Sequence, residues 1–174
     1  MLSFTYAGGG NPALEANQDR ITESVWIARG EYSGIFNANS EDFFVSNSPE
    51  GTAWAWDLAG FNSGLEIAAV NHENLTFNPW VVANGGRGGG PPSTVGTPGV
   101  LHLIEDDVYV DIIFTNWGGS DSGGAFSYNR ATVPEPGSAL LLALGLCGLG
   151  TARRSPRRQR RASIDVHQFA FAAL

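Results

Sequence analysis

The sequence contains no lysine, and its arginines are unevenly distributed. Six of the ten arginines lie between residues 153 and 161, and only four lie in residues 1–132, which we call the body. The body also holds fifteen acidic residues, and four positive charges against fifteen negative ones give it a formal charge of −11. Nucleic-acid-binding proteins present clustered Lys and Arg to the phosphates. We therefore predict that the body binds neither DNA nor RNA.

Cysteine is nearly absent as well, because the single one, Cys147, lies outside the body. No disulfide can hold the body together, even in an oxidising compartment where small secreted proteins often depend on such bonds. Its stability must come from buried apolar surface, to which large aromatic side chains contribute most. The body has five tryptophans, Trp26, Trp54, Trp56, Trp80 and Trp117. Cys147 itself is interpreted as a small apolar residue rather than as a nucleophile or a lipid site.

Long uncharged apolar runs are missing except at residues 137–152. This run would form a helix of about 24 Å, slightly short for a bilayer core of roughly 30 Å. Arginine stems behind it can reach the headgroups, and the positive-inside rule places the arginines in the cytoplasm and the body outside. The predicted membrane-orienting residues are Arg153, Arg154, Arg157, Arg158, Arg160 and Arg161. Two other interpretations stay open: a permanent membrane anchor, and a buried helix followed by a basic nucleic-acid-binding tail.

The residues before the apolar run complete a three-part pattern. Val133, Pro134, Glu135 and Pro136 precede Gly137, the apolar run and the arginine cluster. In this order the segment resembles the PEP-CTERM sorting signal of exopolysaccharide-producing Gram-negative bacteria. The resemblance implies recognition by an exosortase, which removes the tail much as a GPI signal is removed. It also implies transient anchoring in the inner membrane through residues 137–152, and then delivery to the cell surface or extracellular matrix. Residues 162–174 extend past the point where such signals normally stop, and form an atypical tail.

The first residues lack the features of a secretion signal. Residues 1–6 contain no basic segment and no long apolar run, so they are not a signal peptide. The alternation of Leu2, Phe4 and Tyr6 predicts a strand instead. Because a chain with a surface-sorting tail first has to cross the inner membrane, we expect a signal peptide upstream of Met1 in the genomic reading frame.

The body shows the period-two alternation and the frequent Gly and Pro turns of an all-β protein. The clearest strands are predicted at residues 52–58, 100–104 and 108–115; in the last, Val110, Ile112 and Phe114 share one face with Val108. Weaker strands are predicted at residues 2–6, 21–29, 35–36, 43–45, 75–77 and 125–130, and a long irregular loop at residues 85–99. We predict one β-sandwich or jelly-roll-like domain of about eight short strands over residues 1–132. A sorting segment with one hydrophobic helix follows over residues 133–161, and then the tail at residues 162–174.

Several body segments together resemble one group of uncharacterised bacterial secreted proteins that often carry the same sorting tail. These segments are residues 16–30, 48–56, 75–80, 91–96, 100–117 and 123–132, whereas residues 57–74 depart from the group. The resemblance implies the extent of the body and its exported location. No activity is known for this group, and none is implied.

One segment resembles a catalytic loop. Residues 120–124, Ser-Asp-Ser-Gly-Gly, resemble the nucleophile loop of chymotrypsin-like proteases, with Ser122 as the nucleophile. A catalytic triad also needs a base and an orienting acid. The body offers only His72 and His102 as bases, and neither lies in the sequence context of that family. A flexible glycine-serine loop is the preferred interpretation, and no catalytic residue is predicted.

The densest set of candidate metal ligands is His102, Glu105, Asp106, Asp107 and Asp111. A calcium ion takes about six to eight oxygen ligands, and one continuous strand would place only the acids at positions 105, 107 and 111 on a common face. Zinc is disfavoured because the body has no cysteine and no closely spaced histidine pair. A solvated acidic surface is preferred, so no metal and no cofactor are predicted.

These observations favour an exported, non-enzymatic protein of the cell surface or extracellular matrix with a structural or interaction role. Its predicted partners are the exosortase and, transiently, the inner membrane. The alternative is a polysaccharide-binding module assisted by calcium, in which exopolysaccharide would stack on exposed tryptophans. A row of exposed Trp and Tyr would favour this alternative, and a fully buried set would favour the first function.

Overall fold

Eight strands in two antiparallel sheets make up the body, which confirms the all-β prediction. The computed structural model describes residues 1–58, 60–86 and 89–133, and a compact unit spans Met1–Val133. In this part of the chain no helix has the length and apolar character needed to cross a membrane. The hydrophobic helix predicted at residues 137–152 and the tail at residues 162–174 lie outside the described residues.

The strands are short and follow the chain in order. They are β1 (Leu2–Tyr6), β2 (Asp19–Arg20), β3 (Trp26–Arg29), β4 (Ile35–Asn37), β5 (Thr52–Trp56), β6 (Pro98–Leu103), β7 (Val108–Trp117) and β8 (Phe126–Arg130). The larger sheet has the order β1-β8-β7-β6-β5, and the smaller one has the order β2-β3-β4. The last strand of the body, β8, is therefore internal, because it pairs with both β1 and β7.

Helical structure is sparse in the described residues. The one α-helix, α1 (Trp80–Ala83), is a single turn after Pro79. Short 3₁₀ turns occupy Glu15–Asn17, Ala69–Asn74, Pro91–Thr94 and Ser120–Ser122. The irregular loop predicted at residues 85–99 is thus too long, since it contains one of these turns and β6 already begins at Pro98.

The alternation predicted for β7 is present. Val110, Ile112 and Phe114 are buried, whereas Tyr109 and Ile113 on the opposite face are partly exposed. The pairing of β7 with β8 shifts register between Phe114 and Asn116. Such a bulge bends the strand locally and increases its twist, and the Trp117 ring beyond it packs against Phe126 of β8 with a centroid distance of 6.0 Å.

A single hydrophobic cluster joins side chains of both sheets. At its centre Trp54 and Trp56 of β5 are stacked, with ring centroids 5.3 Å apart and an interplanar angle of 9°. Both are fully buried, and so is Trp80 of α1. Trp26 and Trp117 are only partly buried, and each is covered by a guanidinium group, of Arg20 at 4.1 Å and of Arg29 at 3.8 Å from the ring centroid. The structure therefore shows no planar row of exposed tryptophans in its described residues.

Residues 69–77 cover the outer face of β6 and β7. The Ala69–Asn74 turn packs on both strands, and the backbone N–H of Ala69 donates to the Asp111 carboxylate at 2.7 Å. The Tyr109 ring lies between the rings of His72 and His102, at centroid distances of 3.7 and 4.2 Å. This cover explains why Val100, which faces away from the central cluster, is fully buried.

Two of the weaker strand predictions are wrong, and the strand predicted at residues 21–29 is too long because β3 begins only at Trp26. At residues 43–45 the chain forms a loop instead, because the Glu41 carboxylate accepts hydrogen bonds from the backbone N–H groups of Asn37 and Glu50, at 2.7 and 3.0 Å. Ser48 also donates to Glu41, which closes the loop. Residues 75–77 form no strand either; Asn78 makes an isolated bridge to Trp54.

The first prediction concerns the body alone. We expect residues 1–132 to give a β-rich circular dichroism spectrum with little helix, since all eight described strands lie within these residues. The thermal midpoint should not change when a reductant is added, because the body has no cysteine. A helix-dominated spectrum, or a midpoint that falls with the reductant, would contradict the fold.

Candidate functional site

The predicted sorting residues begin where the described chain ends. Val133 is partly buried and packs against the hydrophobic cluster. Pro134, Glu135 and Pro136 lie outside the described residues, and so do the predicted membrane-orienting arginines, Arg153, Arg154, Arg157, Arg158, Arg160 and Arg161. The roles assigned to these residues from the sequence stay predictions.

A buried ion pair fixes β8 just before this segment. The Arg130 guanidinium donates to both carboxylate oxygens of Asp19, with its Nε at 2.7 Å and its Nη2 at 2.8 Å. The Tyr128 hydroxyl donates to the same carboxylate at 2.7 Å. All three side chains are buried. Because Asp19 belongs to β2, this cluster links the small sheet to the strand that precedes the sorting segment.

The protonation of this cluster follows from burial and charge. Burial raises the pKa of the Tyr128 hydroxyl well above its ordinary value, and the negative charge of Asp19 raises it further. For Arg130 burial alone would lower the pKa, but the hydrogen bonds and the charge of Asp19 outweigh it and the net pKa is raised. Tyr128 therefore stays neutral and Arg130 stays charged at physiological pH. We call the buried cluster of Asp19, Tyr128 and Arg130 the lock, because it fixes β8 to the small sheet.

The acidic set singled out in the sequence does not assemble into a metal site. Residues 104–107 form a turn between β6 and β7, so they do not continue one strand, and Asp107 adopts a positive φ of 50°. Its carboxylate lies 3.2 Å from His102 Nε2, while Asp106 accepts a hydrogen bond from Ser24 at 2.9 Å. Asp111 instead bonds to residue 69. In the described part of the chain no group of three or more His, Cys, Asp or Glu residues could hold a metal ion.

The loop that resembles a protease nucleophile lies far from both body histidines. Ser122 ends a 3₁₀ turn that follows β7. His72 and His102 both stack on Tyr109, near the first residue of β7. From Tyr109 to Trp117 the strand extends by about 27 Å at roughly 3.4 Å per residue. Ser122 and these two histidines therefore do not form a catalytic triad.

A cavity that sequence reasoning did not predict lies beside α1. It has a volume of about 470 Å³ and is lined by aromatic rings, one guanidinium and one amide. The principal lining residues are Arg29, Tyr32, Phe44, Trp80, Asn84 and Trp117. Phe44 meets Trp80 edge to face at 6.1 Å, and Trp80 lies 5.3 Å from Trp117. Binding sites for small ligands are concave and mostly apolar, with a few polar groups, and have volumes of about 300–1,000 Å³.

The polar groups of the cavity have few protein partners. Arg29 is only 5 % exposed; its Nε donates to the Ser33 carbonyl at 2.8 Å, and its Nη1 to the carbonyls of Gly124 and Ala125 at 3.0 and 3.1 Å. Its Nη2 has no acceptor among the described residues. Asn84 is 2 % exposed, and its Oδ1 accepts from the N–H of Gly86 at 3.2 Å, but its Nδ2 has no described acceptor.

The sequence contains only a weak signal for this site. Its residues come from β3, two loops, α1 and the end of β7, and no local spacing connects them. The useful hint is Arg29, a charged residue at the end of the buried strand β3, in a body with only four arginines. A charged side chain buried in an apolar environment needs a partner of opposite charge. Asp19 of β2 is that partner for Arg130, but β2 supplies none for Arg29.

Comparison with known proteins identifies the segment after the body. The PEP-CTERM protein-sorting motif matches residues 132–158. This match confirms the resemblance predicted for the tail, and it supports export, transient membrane anchoring and processing by an exosortase. No curated protein and no solved structure matches the chain. The resemblance of the body to a group of secreted proteins therefore stays a prediction.

Proposed function

We propose that the body is a non-enzymatic structural or interaction component of the surface or extracellular matrix of a Gram-negative bacterium. One observation carries the proposal: the sorting motif matches from residue 132, while β8 ends at Arg130. The sorting segment thus follows directly on a folded, internal strand. An enzyme that removes the segment would have a complete domain on one side of its cut.

The lock around Arg130 supports release of an intact domain. A cut beyond Val133 removes no described strand, and it leaves the Asp19–Arg130 ion pair and the β8 pairings in place. The backbone N–H of Ala131 still donates to the carbonyl of Asp111 at 2.9 Å. The body should therefore keep its fold after processing, as a protein that acts outside the cell requires.

A test of this function follows the body after its release. In a Gram-negative host with an active exosortase, we expect the body to sediment with the cell surface and matrix fraction. It should stay there at about 0.5 M salt, because a body of −11 charge is not held to anionic polymers by simple charge attraction. Antibodies against the body quantify it in each fraction. Recovery of nearly all of it as free protein in the medium would contradict a matrix role.

Polysaccharide binding is a second candidate function, and the cavity beside α1 favours it. Aromatic faces with a few polar groups are the lining that a sugar ring requires. An array of neutral and acidic glycans, probed with the full chain in detergent, should show binding above background to at least one glycan class. An array without any binding would remove this candidate and leave the surface role unaffected.

A further inference from the structure

We propose that the cavity beside α1 binds a saccharide that carries a carboxylate, a uronic acid residue, with Arg29 as the carboxylate-binding residue. This inference rests on the second proposed function, polysaccharide binding, and names the ligand class. Three observations on the described residues carry it: the charge of Arg29, the unused donors of the cavity, and the arrangement of its rings.

Arg29 is a buried cation that has no carboxylate partner in the described part of the chain. None of the described Asp or Glu side chains lies within 4.0 Å of it, although the body carries fifteen acidic residues. The same fold contains a paired counterpart, since Arg130 is equally buried at 5 % exposure and holds Asp19 in a two-point contact. Burial lowers the pKa of Arg29 to about 10. A buried charge without a counterion is costly, and an anionic ligand would supply the missing counterion.

The unused donors suit a carboxylate and hydroxyl groups. Arg29 keeps Nη2 free of described acceptors, and guanidinium groups bind carboxylates with well-defined geometry. Asn84 lines the same cavity, and its Nδ2 has no acceptor among the described residues. The ligand carboxylate would accept hydrogen bonds from Arg29, and a hydroxyl oxygen of the sugar ring would accept one from the Asn84 amide. A purely apolar ligand would leave both donors without acceptors.

The rings define the shape of the ligand. Trp117 lies under the guanidinium at 3.8 Å and fixes its plane. The rings of Phe44 and Trp80 lie close to Gly34, where an added Cβ would be 2.6 Å from both rings. Tyr32, which is 78 % exposed, lines the cavity and also extends into solvent, so it marks the rim. The apolar face of a pyranose ring can pack against these aromatic side chains.

The charge of the body limits the length of the ligand. A long polyanion is repelled by a body of −11 charge, whereas a short one meets mainly the local field of Arg29. At about 0.15 M salt the Debye length is roughly 8 Å, which screens the distant acids more than a contact inside the cavity. We therefore use a disaccharide with a single glucuronate as the probe.

The experiment is titration calorimetry on the full chain in detergent, with the body, residues 1–132, in parallel. The probes are the glucuronate disaccharide, its neutral glucose equivalent and benzoate. We expect the acidic disaccharide to bind about tenfold more tightly than the neutral one. The Arg29→Lys variant, which keeps a positive charge but loses the planar guanidinium and its Nη2 donors, should weaken acidic binding about tenfold and neutral binding little. Tyr32→Ala should weaken both about threefold.

Matched controls separate the cavity from general effects. Arg20→Lys alters the other arginine that covers a tryptophan, and Phe43→Ala removes a ring that is 68 % exposed and does not line the cavity. Both should leave binding unchanged. If Arg29→Lys fails to fold, Gly34→Ala provides the test, because its methyl group would displace the Phe44 and Trp80 rings and should abolish binding.

The outcomes are distinct. Equal affinity for both disaccharides would overturn the role of Arg29 and leave polysaccharide binding in place. Benzoate binding as tightly as glucuronate would overturn the saccharide assignment. Absence of binding by any probe would overturn the inference, while the glycan array decides separately on the broader function.

Discussion

Replacing Asp19 by alanine should lower the free energy of unfolding of the body by about 3–5 kcal/mol. The change leaves the buried guanidinium of Arg130 without its counterion and the Tyr128 hydroxyl without its acceptor. Each is expensive in an apolar environment, because a buried polar group that loses its partner does not regain water. Chemical denaturation monitored by tryptophan fluorescence measures the effect. A loss below about 1 kcal/mol would show that the cluster does not lock β8.

The body contains a matched control for this variant. Arg20 and Glu15 form a second ion pair at 3.4 Å, but the side chain of Glu15 is 77 % exposed. Exposed pairs contribute about 0–1 kcal/mol because water competes for both charges. Glu15→Ala should therefore change stability by less than about 1 kcal/mol. The contrast between the two alanine variants isolates burial as the cause.

The same cluster should make the body sensitive to alkali. The pKa of Tyr128 is raised well above 10.0 in the folded body. Above pH 10 an unfolded tyrosine loses its proton while folded Tyr128 keeps it, so the folded state binds more protons and stability falls as pH rises. Tyr128→Phe should be less stable at neutral pH, but its stability should decline less steeply above pH 10. Parallel slopes for the two proteins would contradict the assignment.

Replacing Pro134, Glu135 and Pro136 together by alanine should abolish release of the body and leave the chain in the membrane fraction. Each proline fixes its own φ and disfavours helix in the residue before it. The natural sequence therefore favours an extended segment that a processing enzyme can bind. Three alanines favour helix instead, and they remove the Pro-Glu-Pro residues near the start of the matched sorting motif. Immunoblots of membrane and surface fractions measure the outcome. Release at the natural level would contradict the role of these residues.

Two further changes show which part of the tail matters. Deleting residues 162–174, which lie beyond the matched segment, should leave release unchanged. Deleting residues 153–161 should weaken membrane retention and disturb topology, because the positive-inside rule predicts that these arginines lie on the cytoplasmic side and orient the segment. If the short deletion blocked release as strongly as the triple alanine variant, the sorting function would not reside in the matched motif.

The parts of the fold that could be predicted are those governed by local pattern. The period-two alternation of β7 predicted that Val110, Ile112 and Phe114 share one face, and the structure buries all three. The failure at residues 43–45 has a clear cause: three apolar residues are too few to outweigh the hydrogen bonds of Glu41, which involve residues on both sides of the loop. Short apolar runs are ambiguous for this reason.

The lock and the cavity could not be predicted because the residues that form each of them lie far apart in the sequence. Asp19 and Arg130 are separated by 111 positions, and no local sequence pattern around either residue indicates that the two form a pair. The cavity likewise assembles Arg29, Phe44, Trp80 and Trp117 from different elements. The sorting segment is the opposite case, since its order of prolines, apolar run and arginines is local and could be recognised directly.

Intact mass spectrometry of the surface fraction is the most direct test of the central claim that this chain is an exosortase substrate. In a host with an active matching exosortase, the recovered protein should be cut close to residues 134–137 and lack residues 139–174. The same host without the enzyme should yield the uncut chain in its membranes. Full-length protein that retains the arginine cluster at the surface of the exosortase-positive host would contradict the account and leave only a permanent anchor.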